Sequence, residues 1–199
     1  MFELFRAGGP LMWIILICSM VAVTIIIERF LTLRTKQVAP ENLSTQILEL
    51  AKTGRVSAEK LKVIGNHSPL GTVFAAGLAN MSYGREAMRE ALEESGKHVV
   101  HNLGRYLNAL GTIASITPLI GLLGTVIGMI EVFAAIADNG IGDPTVLSGG
   151  ISVALITTAS GLSVGIPCLM FYRFFRSRIT ELTVILEENA LALLETQKK

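Results

Sequence analysis

"PLIGLLGTVIGMIEVF", Pro118 to Phe133, is the stretch that decides the fold. It is apolar enough for lipid, yet it carries Gly121, Gly124, Gly128 and Thr125 where a simple membrane anchor would manage with leucine. The rest of the chain has the same character. Hydrophobic residues make up 51% of the 199 positions and charged ones 17%, and the mean hydropathy is +0.56, a profile typical of membrane proteins. The apolar residues are gathered into blocks instead of being spread at amphipathic spacing. The blocks run from Leu11 to Ile27, from Leu107 to Ile130 and from Thr145 to Tyr172. A hydrocarbon core about 30 Å thick needs roughly 20 helical residues, so each block can cross a bilayer, the first only when Gly8 to Pro10 are counted at its edge. A cleaved signal peptide is the rival for that first block, but no small-x-small site precedes the charged "ERFLTLRTK", so an uncleaved helix is expected.

Basic residues set the expected orientation. Arg29, Arg34 and Lys36 follow the first block, Arg85, Arg89, Lys97 and Arg105 precede the second, and Arg173, Arg176 and Arg178 follow the third. The connection "DNGIGDP" has none, and Arg6 alone falls on its side. By the positive-inside rule the segment between the first two spans and the C-terminal tail are cytoplasmic, while the N-terminus and the Asp138 to Pro144 loop lie outside. The formal net charge of +1 conceals this polarity, which speaks for membrane topology and against nucleic-acid binding.

Little in the chain suggests covalent chemistry. Cys18 and Cys168 both fall inside proposed spans without metal-ligand spacing and read as small hydrophobes. His98 and His101 share a helical face, but no set of carboxylates or thiols completes a coordination sphere, so no metal is expected. There is no P-loop, zinc signature, nucleophile elbow or dinucleotide fingerprint. The expectation is a non-enzyme without a cofactor.

Between the first two spans, "VAPENLSTQILELAKTG" predicts a short helix capped by Asn42 or Ser44 and ended by Gly54. "VSAEKLKVIG" predicts another, with Ser57 as cap and Gly65 as stop, and "NHSPLGTVFAAGLANM" starts a third. From "YGREAMREALEESGKHVV" the pattern runs without proline into the second span, with Ala87, Ala91, Leu92, His98, Val99, Leu103 and Tyr106 as a partial stripe. This predicts one helix from about Arg85 to Ala135, roughly 75 Å long. The tail repeats an amphipathic pattern through Ile179, Leu182, Ile185, Leu186, Leu193 and Leu194. Its acidic second half suits a cytoplasmic bundle better than a membrane surface.

On a helical wheel Thr117, Gly121, Gly124, Gly128 and Ala135 fall within a narrow arc, bordered by Thr125. In the third span Gly150, Ala154, Thr158, Gly161 and Gly165 gather in the same way. In lipid, where tails are as apolar as leucine, helices associate by close backbone approach and by interhelical hydrogen bonds, which such small-residue seams permit. The seams suit either packing of the two helices within one subunit or packing between subunits. Thr125 and Thr158 each lie about ten residues, roughly 15 Å, from the outer end of their spans, near the bilayer midplane. Either hydroxyl can bond back to its own helix, but a matched pair beside a small-residue face suggests a polar lining. Glu131, the only acid within either helix, lies near the outer end and suits a pore mouth.

"LIGLLGTVIGMIEVF" together with "GGISVALITTASGLSVGIPCLMFYRFF" resembles the paired signatures of the MotA/TolQ/ExbB proton-channel family, and the three-span layout resembles its ExbB/TolQ branch. The resemblance implies an all-α integral membrane protein of the bacterial inner membrane. Its expected layout is a periplasmic N-terminal segment over 1–10, spans over 11–31, 107–136 and 148–172, a cytoplasmic helical region over 32–106, a periplasmic loop over 137–147 and a cytoplasmic C-terminal helix over 173–199. It implies a homopentamer whose second and third helices line a central pore holding the single-span helix of an ExbD- or TolR-like partner that bears an aspartate. Proton flow through that carboxylate would drive a TonB- or TolA-like protein. On the family motif Thr125 and Thr158 correspond to the pore threonines, flanked by the pore and packing face of Gly121, Gly124, Gly128, Ala154, Gly161 and Gly165. The glutamate that many ExbB proteins carry in helix three falls at Val153, so the titrating group would come from the partner. A TolQ-like role in outer-membrane integrity and cell division, or a passive membrane scaffold, are the alternatives.

Overall fold

The computed structural model describes residues 9–53, 58–139 and 144–196, and among these every regular element is helical. In chain order they are α1 (Leu11–Thr32), α2 (Thr35–Val38), α3 (Glu41–Thr53), α4 (Ala58–His67), α5 (Pro69–Ala79), a 3-10 turn (Met81–Tyr83), α6 (Arg85–Leu103), α7 (Leu107–Asn139) and α8 (Pro144–Glu195). Three helices are long and apolar enough to cross a membrane: α1, α7 and α8. The chain divides into two compact units, one of Met1–Ile27 with Tyr106–Phe174 and one of Glu28–Arg105 with Phe175–Lys199.

The first unit is built from apolar helix. Met12, Ile15, Ala22 and Ile25 of α1 are buried, a helical-period face, while Trp13, Ile17, Met20 and Ile27 stand exposed. Large exposed apolar side chains are a liability in water and the normal outer surface in lipid. On α7 the buried line is Leu107, Leu110, Ala114, Thr117 and Val132, with Gly121, Gly124 and Gly128 between. Leu119, Leu122, Val126 and Phe133 point away from it.

The second unit has an ordinary hydrophobic core. Leu70, Val73 and Phe74 of α5 and Met88 of α6 are fully buried, as are Leu182 and Leu193 of α8. Gly77 lies so close to Leu92 that an added Cβ would fall 2.6 Å from its Cδ2. Helix α5 starts where the chain chemistry dictates: Ser68 is extended, its Oγ accepts from the Gly71 amide at 3.1 Å, and Pro69 occupies the first turn. That same Ser-Pro pair ends α4 at His67. Gly65, expected as the stop, lies inside α4, where a Cβ would meet the Ala75 Cβ at an ordinary 3.4 Å. Asn42 and Ser44, expected as caps, likewise lie inside α3, because Pro40 already starts that helix and its carbonyl accepts from the Leu43 amide at 3.0 Å. The expected Gly54 stop and Ser57 cap lie outside the described residues.

The expected uninterrupted helix from Arg85 to Ala135 is broken. Helix α6 ends at Leu103, its last turn tightened by Gly104 and Arg105 amides donating to the His101 and Asn102 carbonyls at 3.1 and 3.2 Å. Tyr106 then takes a positive φ of 64°, which no other non-glycine residue among those described adopts. The break frees the Leu103 carbonyl, and Arg29, only 2% exposed, donates to it from Nη1 at 2.8 Å. Glu28 balances the buried charge, accepting from the Arg29 Nη2 at 2.6 Å and from its Nε. The Thr32 hydroxyl lies 3.0 Å from the Glu28 Oε1. Nearby, Phe30 meets Phe175 edge to face at 5.0 Å, and Arg178 donates to the Thr35 hydroxyl at 2.5 Å and to Glu181 at 2.6 Å. Helices α7 and α8 extend to Asn139 and from Pro144, so helix occupies both ends of the connection expected over 137–147.

Losing a charge-assisted bond to a buried carbonyl costs about 1.5–3 kcal/mol, so Arg29→Gln is expected to lower the melting temperature of the detergent-solubilised protein by several degrees. Replacing Tyr106 tests the left-handed position. Tyr106→Gly should leave stability equal or higher, whereas Tyr106→Val should cost at least about 1–2 kcal/mol, because a β-branched residue tolerates the left-handed region poorly. Thermal unfolding followed by circular dichroism reads both.

Candidate functional site

The glycine-rich stretch of α7 meets its counterpart on α8 in an antiparallel pair, shown by contacts that run in opposite directions along the two helices. Gly111 faces Tyr172, Gly165 faces Pro118 and Ala114, Gly161 faces Thr117 and Gly121, and Gly128 faces Gly150 and Ala154. The approach is backbone to backbone at its centre. A Cβ on Gly161 would fall 2.7 Å from the Thr117 carbonyl oxygen and 3.0 Å from the Gly121 Cα. One on Gly121 would fall 3.0 Å from the Thr158 Cα, and one on Gly124 2.6 Å from the Thr157 Cγ2. At one end Pro118 Cγ would be 2.5 Å from a Cβ on Gly165, and at the other a Cβ on Gly128 would fall 2.9 Å from the Gly150 carbonyl oxygen and 3.0 Å from the Ala154 Cβ. Glycine is required by this distance and not by dihedral angles, since all five sit in regular helix.

Hydroxyls punctuate the seam. Thr117 and Thr157 are wholly buried and donate to the Ile113 and Val153 carbonyls one turn back, each at 2.6 Å. Thr157 was not singled out by the wheel, which put Thr158 on the seam face. Over residues 148–172 the buried positions of α8 are Ala154, Thr157, Gly161, Gly165 and Cys168, a mixed three- and four-residue spacing that passes through Thr157 and leaves Thr158 on the flank. A double threonine on a face with that spacing was the available signal. Thr158, half-buried, crosses to the other helix, where its hydroxyl donates to the Gly121 carbonyl at 2.9 Å. Thr125, also half-buried, donates to the Leu122 carbonyl at 2.6 Å. The two threonine hydroxyls therefore end on carbonyls of successive α7 residues, without contacting each other in any hydrogen bond found between them. Each has committed its only proton, so each oxygen presents lone pairs alone. Glu131 is exposed on α7, and Val153, half-buried, provides no ionisable group.

Among the described residues, no group of three or more His, Cys, Asp or Glu is placed to hold a metal ion. What the pair offers is a close-packed, uncharged wall with hydroxyl oxygens on its flank. It is a face shaped for close helix packing, with hydroxyl oxygens as its polar groups.

The fold defines an all-α, multi-pass membrane protein with three spanning helices. The match to known proteins makes the class specific: residues 65–188 fit the model of the MotA/TolQ/ExbB proton channel family, and the chain belongs to that family. It is 30% identical over 182 residues to a putative biopolymer transport protein ExbB homolog of Methanothermobacter thermautotrophicus, covering 90% of this chain and 64% of that protein. It is 31% identical over 189 residues to the putative biopolymer transport protein ExbB-like 3 of Synechocystis, covering 92% and 88%. It is 30% identical over 165 residues to the biopolymer transport protein exbB1 of Vibrio cholerae, covering 81% and 72%. The chain thus spans somewhat under two thirds of the archaeal relative and most of the cyanobacterial one. The family is one of inner-membrane channel and transport subunits.

The seam makes a graded prediction. Gly161→Ala places a methyl against backbone and is expected to cost about 1–3 kcal/mol, as overpacking does. Gly149→Ala meets nothing within 4 Å and should be neutral or stabilising by up to about 1 kcal/mol, the helix-propensity gain. Melting temperatures of the two variants in one detergent provide the check.

Proposed function

We propose that this chain is the ExbB-like housing subunit of a proton-driven motor in the bacterial inner membrane. Five copies surround a central pore lined by α7 and α8, and the pore holds a single-span ExbD- or TolR-like helix with an aspartate. Protons crossing through that carboxylate move the partner, and the movement is passed to a TonB- or TolA-like protein that works on the outer membrane. The segment over 32–106 and the tail over 173–199 lie in the cytoplasm, and the N-terminus and the 137–147 connection in the periplasm.

The observation that carries this reading is the family match joined to the chemistry of the helix pair. Thr125 and Thr158 flank a seam with no acid in it, and Val153 is apolar. An ionisable group at membrane depth is expensive, and confining it to one moving partner is the least costly arrangement. Within that arrangement the two threonine oxygens accept from the protonated partner acid or its water, while Gly121, Gly124, Gly128, Ala154, Gly161 and Gly165 allow close packing and Glu131 lies at the outer mouth. The positive-inside rule supports a cytoplasmic position for the basic clusters of residues 29–36, 85–105 and 173–178.

The test is proton flux in liposomes holding the complex with its cognate partner. Flux should vanish when the partner aspartate becomes asparagine, and Thr158→Val should lower it about tenfold, equivalent to about 1.4 kcal/mol, with Thr158→Ser close to the parent. A stable complex whose flux ignores the aspartate would instead identify a passive scaffold. A Thr158→Val complex with undiminished flux would remove the threonine from the pathway.

A further inference from the structure

The second unit holds a groove that its own packing leaves open. It runs between α6 and the distal part of α8, with Val73 of α5 at its base, and its volume is about 800 Å³, within the range of roughly 300–1,000 Å³ typical of small-molecule sites. Val73, Leu92, Leu186 and Leu194 line it and are each at most 6% exposed, so its floor is deep and apolar. Gly96 lies in the α6 wall, in the interior of that helix, and a Cβ there would meet nothing within 4 Å. The other glycines inside described helices of this unit touch a neighbour: Gly65 lies against Ala75, Gly71 against the Ile64 carbonyl and Gly77 against Leu92. Glycine weakens a helix interior, and at position 96 no close contact within the chain offsets that loss. What the missing side chain does is keep the groove wide.

The charged groups on its walls are only partly committed. Arg89, Glu93, Lys97 and His101 recur every four residues along α6 and form one edge of the groove. Arg89 pairs with Glu86 and, at 3.4 Å, with Glu93, which draws Glu93 back one turn from Lys97. The side chains of Lys97 and His101, and of Glu187 on the α8 wall, make no hydrogen bond or ion pair among the described residues. An ammonium and a carboxylate thus line one groove without bridging it. A simple anion would suit Lys97 and His101 but be opposed by Glu187, a simple cation would meet the reverse, and an uncharged apolar body would desolvate both charges without recompense. A ligand that carries both signs on an apolar body satisfies both walls and the floor.

We propose that this groove binds a zwitterionic phospholipid with a phosphoethanolamine head. The phosphate accepts from Lys97 and His101, the ammonium donates to Glu187, and an acyl chain lies along Gly96 over Val73, Leu92, Leu186 and Leu194. His101 is six residues before Leu107, the first residue of the spanning α7, so that end of the groove is within about 22 Å of the leaflet that supplies the lipid. The site uses no residue of the glycine seam and stands independently of the proton-motor reading.

The test is native mass spectrometry of the complete chain in a neutral detergent, titrated with lysophosphatidylethanolamine and, for comparison, with the anionic lysophosphatidylglycerol. The parent is expected to bind the ethanolamine lipid about tenfold more tightly than the glycerol one. Lys97→Gln should weaken both lipids about tenfold, whereas Glu187→Gln should weaken the ethanolamine lipid alone and erase the preference, a split that a general loss of structure does not produce. Gly96→Leu fills the groove and should weaken binding about tenfold while the melting temperature holds or rises, because leucine is the better helix former. Equal binding by the parent, Glu187→Gln and Gly96→Leu would mean lipid on the spanning surface only and overturns the proposal. A parent that retains no lysolipid overturns it as well, and if Gly96→Leu then also breaks up the oligomer, the groove belongs to a neighbouring copy.

Discussion

Everything in the membrane-embedded unit depends on how closely α7 and α8 approach. Where Gly161 lies against the Thr117 carbonyl and the Gly121 Cα, no side chain intervenes at all. Without water to expel, helices in lipid gain little from burying leucine against leucine. They gain from dispersion between tightly apposed backbones and from the few hydrogen bonds that proximity allows, such as the Thr158 hydroxyl on the Gly121 carbonyl. Because the glycines admit no filler, the register between the helices is set in steps of whole residues. The level of Thr125 relative to Thr158 is inherited from that register.

The second constraint is electrostatic and local to the other unit. A chain break such as the one after Leu103 leaves a carbonyl in search of a donor, and a buried guanidinium is a costly donor unless its charge is balanced. Glu28 next to Arg29 and the Thr32 hydroxyl beside Glu28 supply the balance within a little over one helical turn of α1. An arginine that counts, in a charge tally, only as one more inside-facing cation is in fact committed to the end of α6. The side chains that remain available for an aqueous or lipid boundary are the exposed ones, such as Arg34, Lys36 and Arg173.

The departures from the sequence reading share a cause. Gly65 was expected to stop a helix because glycine often does, but a glycine also fits where one helix crosses another, and α4 passes over Ala75 of α5 there. The nearby Ser68-Pro69 pair makes the break instead, through a cap and a missing amide. The interruption has no proline and no glycine at the strained Tyr106; its local mark is Gly104, which caps α6 two residues earlier but is a weak signal inside a long helical pattern. It is maintained by contacts from residues far away in the chain, Arg29 being 74 positions from Leu103. A wheel with a fixed 100° step does not decide between the adjacent Thr157 and Thr158, because the buried positions alternate between spacings of three and four.

What the sequence by itself determined was the material and its periodicity. Three apolar blocks of spanning length, the clustering of positive charge beside them, the glycine spacing on two of them and the family to which those motifs point are all local or one-dimensional properties, and hydrophobicity and helix geometry are sufficient to read them. Only the tertiary structure decided that the two small-residue faces meet each other within one chain, that Thr157 occupies the seam with Thr158 on its flank, and that Arg29 supplies the donor for the Leu103 carbonyl. Those are choices of partner. A glycine face announces that something comes close, but which backbone does so is settled by the simultaneous fit of both helices, and no single stretch of residues contains that information.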